Sequence, residues 1–135
     1  MSIAIQTKEQ ELIYELLELA KNTSPVSGAR TVAAVVRRGR LLCLGNNQYK
    51  THPLQARFGQ TPKSIYQHAE INALVNAKRQ NIDLRGKTLY IVRSLADGSF
   101  GTALPCQGCW KAIRYYGISA VVASDYDGCQ ELSIS

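Results

Sequence analysis

The sequence predicts an α/β protein: a five-stranded mixed sheet flanked by helices in α/β/α layers, its last strand antiparallel to its predecessor. Three observations carry this reading. Apolar residues recur at helical spacing in three separated segments, near residues 7–21, 68–80 and 105–117. Short β-rich runs lie between and after them, at "TVAAVV", "LLCLG", "KTLYIVRS" and "ISAVVAS". Too few residues follow Ser124 for another crossover helix, so "CQELSIS" is expected to return antiparallel.

Each element has a local cause. Thr7 with Gln10 offers a capping box, and Leu12, Ile13, Leu16, Leu17 and Ala20 then mark one helical face. The turn formers of "NTSPVSGAR" stop that helix. Around "RRGR" the two apolar runs read as a β-hairpin. From Asn46 to Ser64 periodicity is lost, and Pro53, Gly59 and Pro62 mark a long loop of the kind that often carries function. Ala69, Ala73, Leu74 and Ala77 line the second helix; Pro105 is placed to begin the third and Gly117 to end it. Between them "KTLYIVRS" is a strand and "LADGSFGTAL" a loop, and "DYDG" turns the chain between the last two strands.

A chain of 135 residues is expected to form a single domain over 1–135 and can bury a core without disulfide staples. Its 45% hydrophobic and 19% charged residues are those of an ordinary globular domain. No apolar run is long enough to cross a bilayer, and the N-terminus lacks a signal-peptide pattern, so a cytoplasmic location and no membrane partner are expected. Four cysteines without a secretion signal favour metal binding or burial over disulfides. The net charge of +6 favours an anionic ligand without demanding one, and its one cluster, Arg37, Arg38 and Arg40, reads as a solvated turn.

Two short stretches carry the chemistry: "HAE" at 68–70 and "PCQGC" at 105–109. A catalytic zinc takes three protein ligands, by preference Cys sulfur and His nitrogen, and keeps a fourth position for water. His68, Cys106 and Cys109 make such a set, with the two cysteines three apart on one helix face near its N-terminus. Helix dipoles favour thiolates there. His68 and Glu70 pose a geometric test, since residues two apart in a helix diverge by about 200°. Both reach one metal only if the helix begins near His68; Ser64 with Gln67 is a competing cap that would begin it near Ile65. Glu70 then serves as a carboxylate beside the water, whose pKa zinc lowers to about 7, and carries its proton to the substrate.

These motifs resemble the cytidine and deoxycytidylate deaminase superfamily, whose signature is H-x-E with P-C-x-x-C. The resemblance extends over the leading helix, the hairpin, "GNN", "QHAEINAL", "PCQGCWKAI" and the following strand. It implies a cytidine deaminase-like fold, Zn²⁺ as cofactor on His68, Cys106 and Cys109, and Glu70 as catalytic proton shuttle. It further implies hydrolysis of cytosine to uracil in a nucleoside or nucleotide, with release of ammonia. Asn47 looks like the family's nucleoside-contacting asparagine, Asn46 takes that role if the register shifts by one, and Ala69 is a further substrate contact. A turn asparagine closing the hairpin is the competing reading. Related deaminases often pair or tetramerise, so a homo-oligomer is expected.

Other readings stay open at this level. A deaminase acting on single-stranded DNA or RNA would need a basic groove. A zinc-stabilised binding module would need a fourth protein ligand from Cys43, Cys129 or His52. Lys50, Arg57 and Lys63 are candidates for holding a 5′-phosphate. Tyr49, Phe58, Phe100 and Tyr126 are candidates for stacking on a base.

Overall fold

The computed structural model describes residues 2–26, 28–48 and 67–134, with side chains from residue 8 onward. Its elements are α1 (Ser2–Lys21), β1 (Arg30–Arg37), β2 (Arg40–Asn46), α2 (Ala69–Arg79), β3 (Thr88–Ser94), β4 (Phe100–Gly101), α3 (Gln107–Tyr115), β5 (Ala120–Asp125) and β6 (Gly128–Leu132). The main sheet runs β2-β1-β3-β5-β6, and β4 pairs with β3 off that path. Only β3 and β5 are parallel; β6 returns antiparallel to β5, as expected.

The pleat of β1 sorts the core into two layers. Ala33 and Val35 join Leu89, Ile91, Val121 and Ala123 under α2 and α3, while Val32, Ala34 and Val36 join Tyr90, Val92 and Val122 under Leu12, Leu16, Leu17 and Ala20 of α1. One helix therefore covers one face of the sheet and two cover the other. Each fully buried Leu or Ile in these layers contributes about 1.5–3 kcal/mol of burial.

Local details depart from the sequence reading in three places. The first helix begins at Ser2, so Thr7 lies inside it and is no cap. No Gly or Pro interrupts "SIAIQ", and extending a formed helix costs little. The "LADGSFGTAL" loop contains β4, which pairs Phe100 with Ser94 and Gly101 with Arg93. The third helix starts at Gln107 rather than at Pro105, because Cys106 is extended (φ −72°, ψ 170°) and caps it.

The turns follow the residues. Arg38 (φ 52°) and Gly39 (φ 76°) are both left-handed, the two-residue turn whose twist suits a hairpin. Helix α3 closes as expected at Gly117 (φ 75°), with Ile118 N–H donating to Ile113 C=O. Gly45 permits the approach of α2 to β2: a Cβ there would stand 2.2 Å from the Ala73 nitrogen.

Candidate active site

The start of α2 is anchored before the helix begins. Gln48 and Gln67 exchange backbone hydrogen bonds of 2.9 and 3.1 Å, which ties the approach to α2 onto the end of the hairpin. Asn72, one turn into α2, accepts from the Asn46 N–H at 3.0 Å and donates to the Gln67 side chain. Asn76 donates to the Leu44 carbonyl at 2.8 Å. These polar ties to the outer strand, none foreseen in the sequence, fix the axial position of α2.

His68 is the N-cap of α2, in extended conformation (φ −73°, ψ 155°). It thus lies outside the regular helix while Glu70 lies inside, which satisfies the geometric test and excludes the reading that buries His68 within the helix. At the start of α3 the Cys106 sulfur accepts from the Cys109 N–H at 3.4 Å, so one candidate ligand is itself the cap of the helix carrying the other.

His68 Nδ1 lies 3.3 Å from Cys109 Sγ and 3.5 Å from Cys106 Sγ, and all three donor atoms fall within 4.8 Å of one another. Nitrogen and sulfur bound tetrahedrally to one zinc stand about 3.6 Å apart, given Zn–N near 2.0–2.1 Å and Zn–S near 2.3 Å. The donor set and its spacing fit Zn²⁺. The fourth ligands considered for a purely structural site do not converge here: the Cys43 thiol points to the Ala73 carbonyl, and Cys129 packs with the α1 layer across the sheet. His52 lies outside the described residues.

The two thiols are electrostatically unequal. Hydrogen bonding from Cys109 lowers the Cys106 pKa to about 4, against its burial and with His68 adding to the shift. Cys109, the donor in that pair and fully buried, is pushed well above the ordinary thiol value. Burial also raises the Glu70 carboxyl, against hydrogen bonding to its own backbone N–H and the charge of His68. The Glu70 side chain interacts with the Cys109 thiol, which places it beside the ligand cluster.

A cavity of about 380 Å³ opens onto this cluster, and His68, Ala69, Glu70 and Cys106 are among its lining residues. Asn47 also lines it, but its side chain closes the hairpin, accepting from Thr31 N–H at 3.2 Å and donating to the Ala29 carbonyl at 2.8 Å. Asn46 faces a second cavity, between α2 and the hairpin. Ala69 is the first residue of α2, where an N–H has no intrahelical partner. Lys50, Arg57, Lys63, Tyr49 and Phe58 lie outside the described residues. Phe100 packs against Tyr14 on the α1 side and Tyr126 is exposed at the β5–β6 turn, so neither lines the cavity.

One charged residue among the described lining residues was not anticipated. Arg93 reaches the cavity from the carboxyl end of β3. In the sequence it reads as one more strand charge, although alternation with Leu89 and Ile91 already assigns it to the site face.

Residues 6–125 match the model of the cytidine and deoxycytidylate deaminase zinc-binding region, and the chain belongs to that family. Among solved structures, it is similar to the apo dCMP deaminase of cyanophage S-TIM5, with 25% identity and a TM-score of 0.62 over 89% of this chain and 83% of that one. The same phage enzyme in complex with dCMP and dUMP gives 22% and 0.57, covering 91% and 82%. Cytidine deaminase from Burkholderia pseudomallei gives 20% identity and a TM-score of 0.60 over 90% and 91% of the two chains. No curated protein sequence gives a match. Among the described residues no helix is long and apolar enough to cross a membrane.

Proposed function

We propose that the protein is a zinc-dependent hydrolase that converts cytosine, within a nucleoside or nucleotide, to uracil with release of ammonia. The observation that carries this reading is Glu70: a buried carboxyl, 6% exposed, beside a two-cysteine, one-histidine cluster and lining the same cavity. Membership of the deaminase family supports the same chemistry.

Zinc held by His68, Cys106 and Cys109 supplies a Lewis acid that makes water nucleophilic near neutral pH. The chain's residues do the rest. Glu70 takes a proton from the attacking water and delivers it to the ring nitrogen next to the amine-bearing carbon. Oxygen bonds to that carbon; Glu70 then takes the remaining proton from that oxygen and passes it to the exocyclic amine, whose carbon–nitrogen bond breaks to release ammonia and leave the carbonyl. A carboxyl with its pKa raised by burial suits both halves of this cycle. The Ala69 N–H, at the start of α2, is the donor this reading assigns to an acceptor on the base.

The test is to incubate zinc-loaded protein with cytidine, deoxycytidine, their monophosphates and a cytosine-containing single strand, reading conversion by mass spectrometry. Wild type is expected to convert the monomers, and Glu70→Ala to retain zinc while losing about 10²–10⁴-fold in rate. Normal turnover by Glu70→Ala would refute the mechanism, and conversion of the strand alone would make the protein a nucleic-acid deaminase.

A further inference from the structure

Arg93 has no part in the chemistry just described, yet its surroundings are built around it. It lies at the carboxyl end of β3, opposite Thr31 on β1 and Gly101 on β4. Ligands of open α/β sheets gather at that end of the strands. A Cβ on Gly101 would come within 3.3 Å of Arg93 Cγ and Cδ, so the glycine lets β4 close over the aliphatic stem. The Ser124 hydroxyl accepts from Arg93 N–H at 3.0 Å and donates to the Gly101 carbonyl at 2.7 Å, stitching β3, β4 and β5 together at this point.

The stem is held, but the charged head is not satisfied. Arg93 Nε is buried and has no hydrogen-bond partner, and neither ion pair found among the described residues involves Arg93. A buried guanidinium N–H without an acceptor is costly, and the acceptor that best matches the guanidinium fork is a carboxylate or phosphate. Among the described lining residues Arg93 is the one permanent cation.

We propose that Arg93 is the anion-reading residue of the cavity, holding the phosphate of a nucleoside monophosphate and making that class, rather than the free nucleoside, the preferred substrate. The proposal rests on the deaminase reading and names the substrate class of that same cavity. Thr31 and Thr102, which also line it, offer hydroxyl donors to the same phosphate.

The experiment measures binding by calorimetry and conversion by mass spectrometry, with dCMP and deoxycytidine, for zinc-loaded wild type, Arg93→Gln and Arg93→Lys. Circular dichroism and zinc content verify the fold of each variant. Wild type should favour dCMP. Arg93→Gln should weaken dCMP binding about 30-fold or more and leave deoxycytidine within about threefold, because only dCMP loses a charged partner. Arg93→Lys, which keeps the charge without the fork, should fall between them.

A dCMP preference unchanged by Arg93→Gln would assign the phosphate to other cations and overturn the proposal. Equal weakening of both ligands would reduce Arg93 to a structural role and overturn it as well. Arg93-dependent dCMP binding without conversion would support the phosphate site and refute the deaminase reading alone; no binding and no conversion would refute both. Should Arg93→Gln fail to fold, Arg93→Lys decides: a dCMP preference equal to wild type overturns the fork as the reader of phosphate.

Discussion

Cys106 and Cys109 carry the same functional group three residues apart, yet their positions give them opposite proton affinities. Zinc-stripped protein treated with iodoacetamide near neutral pH should be alkylated first at Cys106, whose pKa falls to about 4. Cys129, pushed up to about 12 by burial, and Cys43, raised by burial, should react far more slowly. Bound zinc should protect Cys106. Peptide mapping reads the order, and labelling of Cys129 as fast as Cys106 would contradict it. Glu70 gives a second test at this scale. Its pKa is raised in the fold, so the stability it contributes is complete below its ordinary value of 4.5 and is lost as pH rises through the folded value. Zinc-free Glu70→Gln should therefore melt above wild type near about pH 8 and close to it near about pH 4. The ligand residues were legible because their chemistry restricts them to a few residue types at fixed spacing. Arg93 was not, because a guanidinium's meaning depends on which groups surround it, and β4 and Ser124 come from elsewhere in the chain.

Among the elements, α2 depends most on a single neighbour. It packs on β2 at backbone distance through Gly45, so Gly45→Ala should destabilise the protein by about 3 kcal/mol as helix and strand are forced apart. Urea denaturation checks this, and a change below about 1 kcal/mol would mean the two elements part easily. On the other face, Leu16→Ala should cost about 2–5 kcal/mol, because Leu16 is fully buried between α1 and the sheet. Helices and long strands were readable from periodicity, and the start of α2 followed from requiring His68 and Glu70 to meet one metal. The two-residue β4 was not, since it is too short for any period and its pairing is decided by β3. The ties from Asn72 and Asn76 to β2 were hidden for the same reason: an asparagine's partner 26 or 32 residues away leaves no local trace.

For the whole molecule, the candidate ligands join two helices that are remote in sequence. His68 begins α2, while Cys106 and Cys109 sit at the start of α3. Zinc that binds this folded arrangement and not the unfolded chain adds its binding energy to folding. Removing it with a chelator should lower the melting temperature by about 10 °C or more. His68→Ala, which lacks one ligand, should show a smaller difference between loaded and stripped protein. Equal melting with and without zinc would mean that the metal adds nothing to the fold.

The division of the three ligands between two helix starts also makes metal retention a report on assembly. A chain with α3 formed but α2 undocked offers zinc only two sulfurs; all three donors come within reach once both helices lie on the sheet. Zinc per chain in a purified sample then counts the molecules whose helices have docked, so metal stoichiometry measured after gel filtration doubles as a gauge of conformational quality.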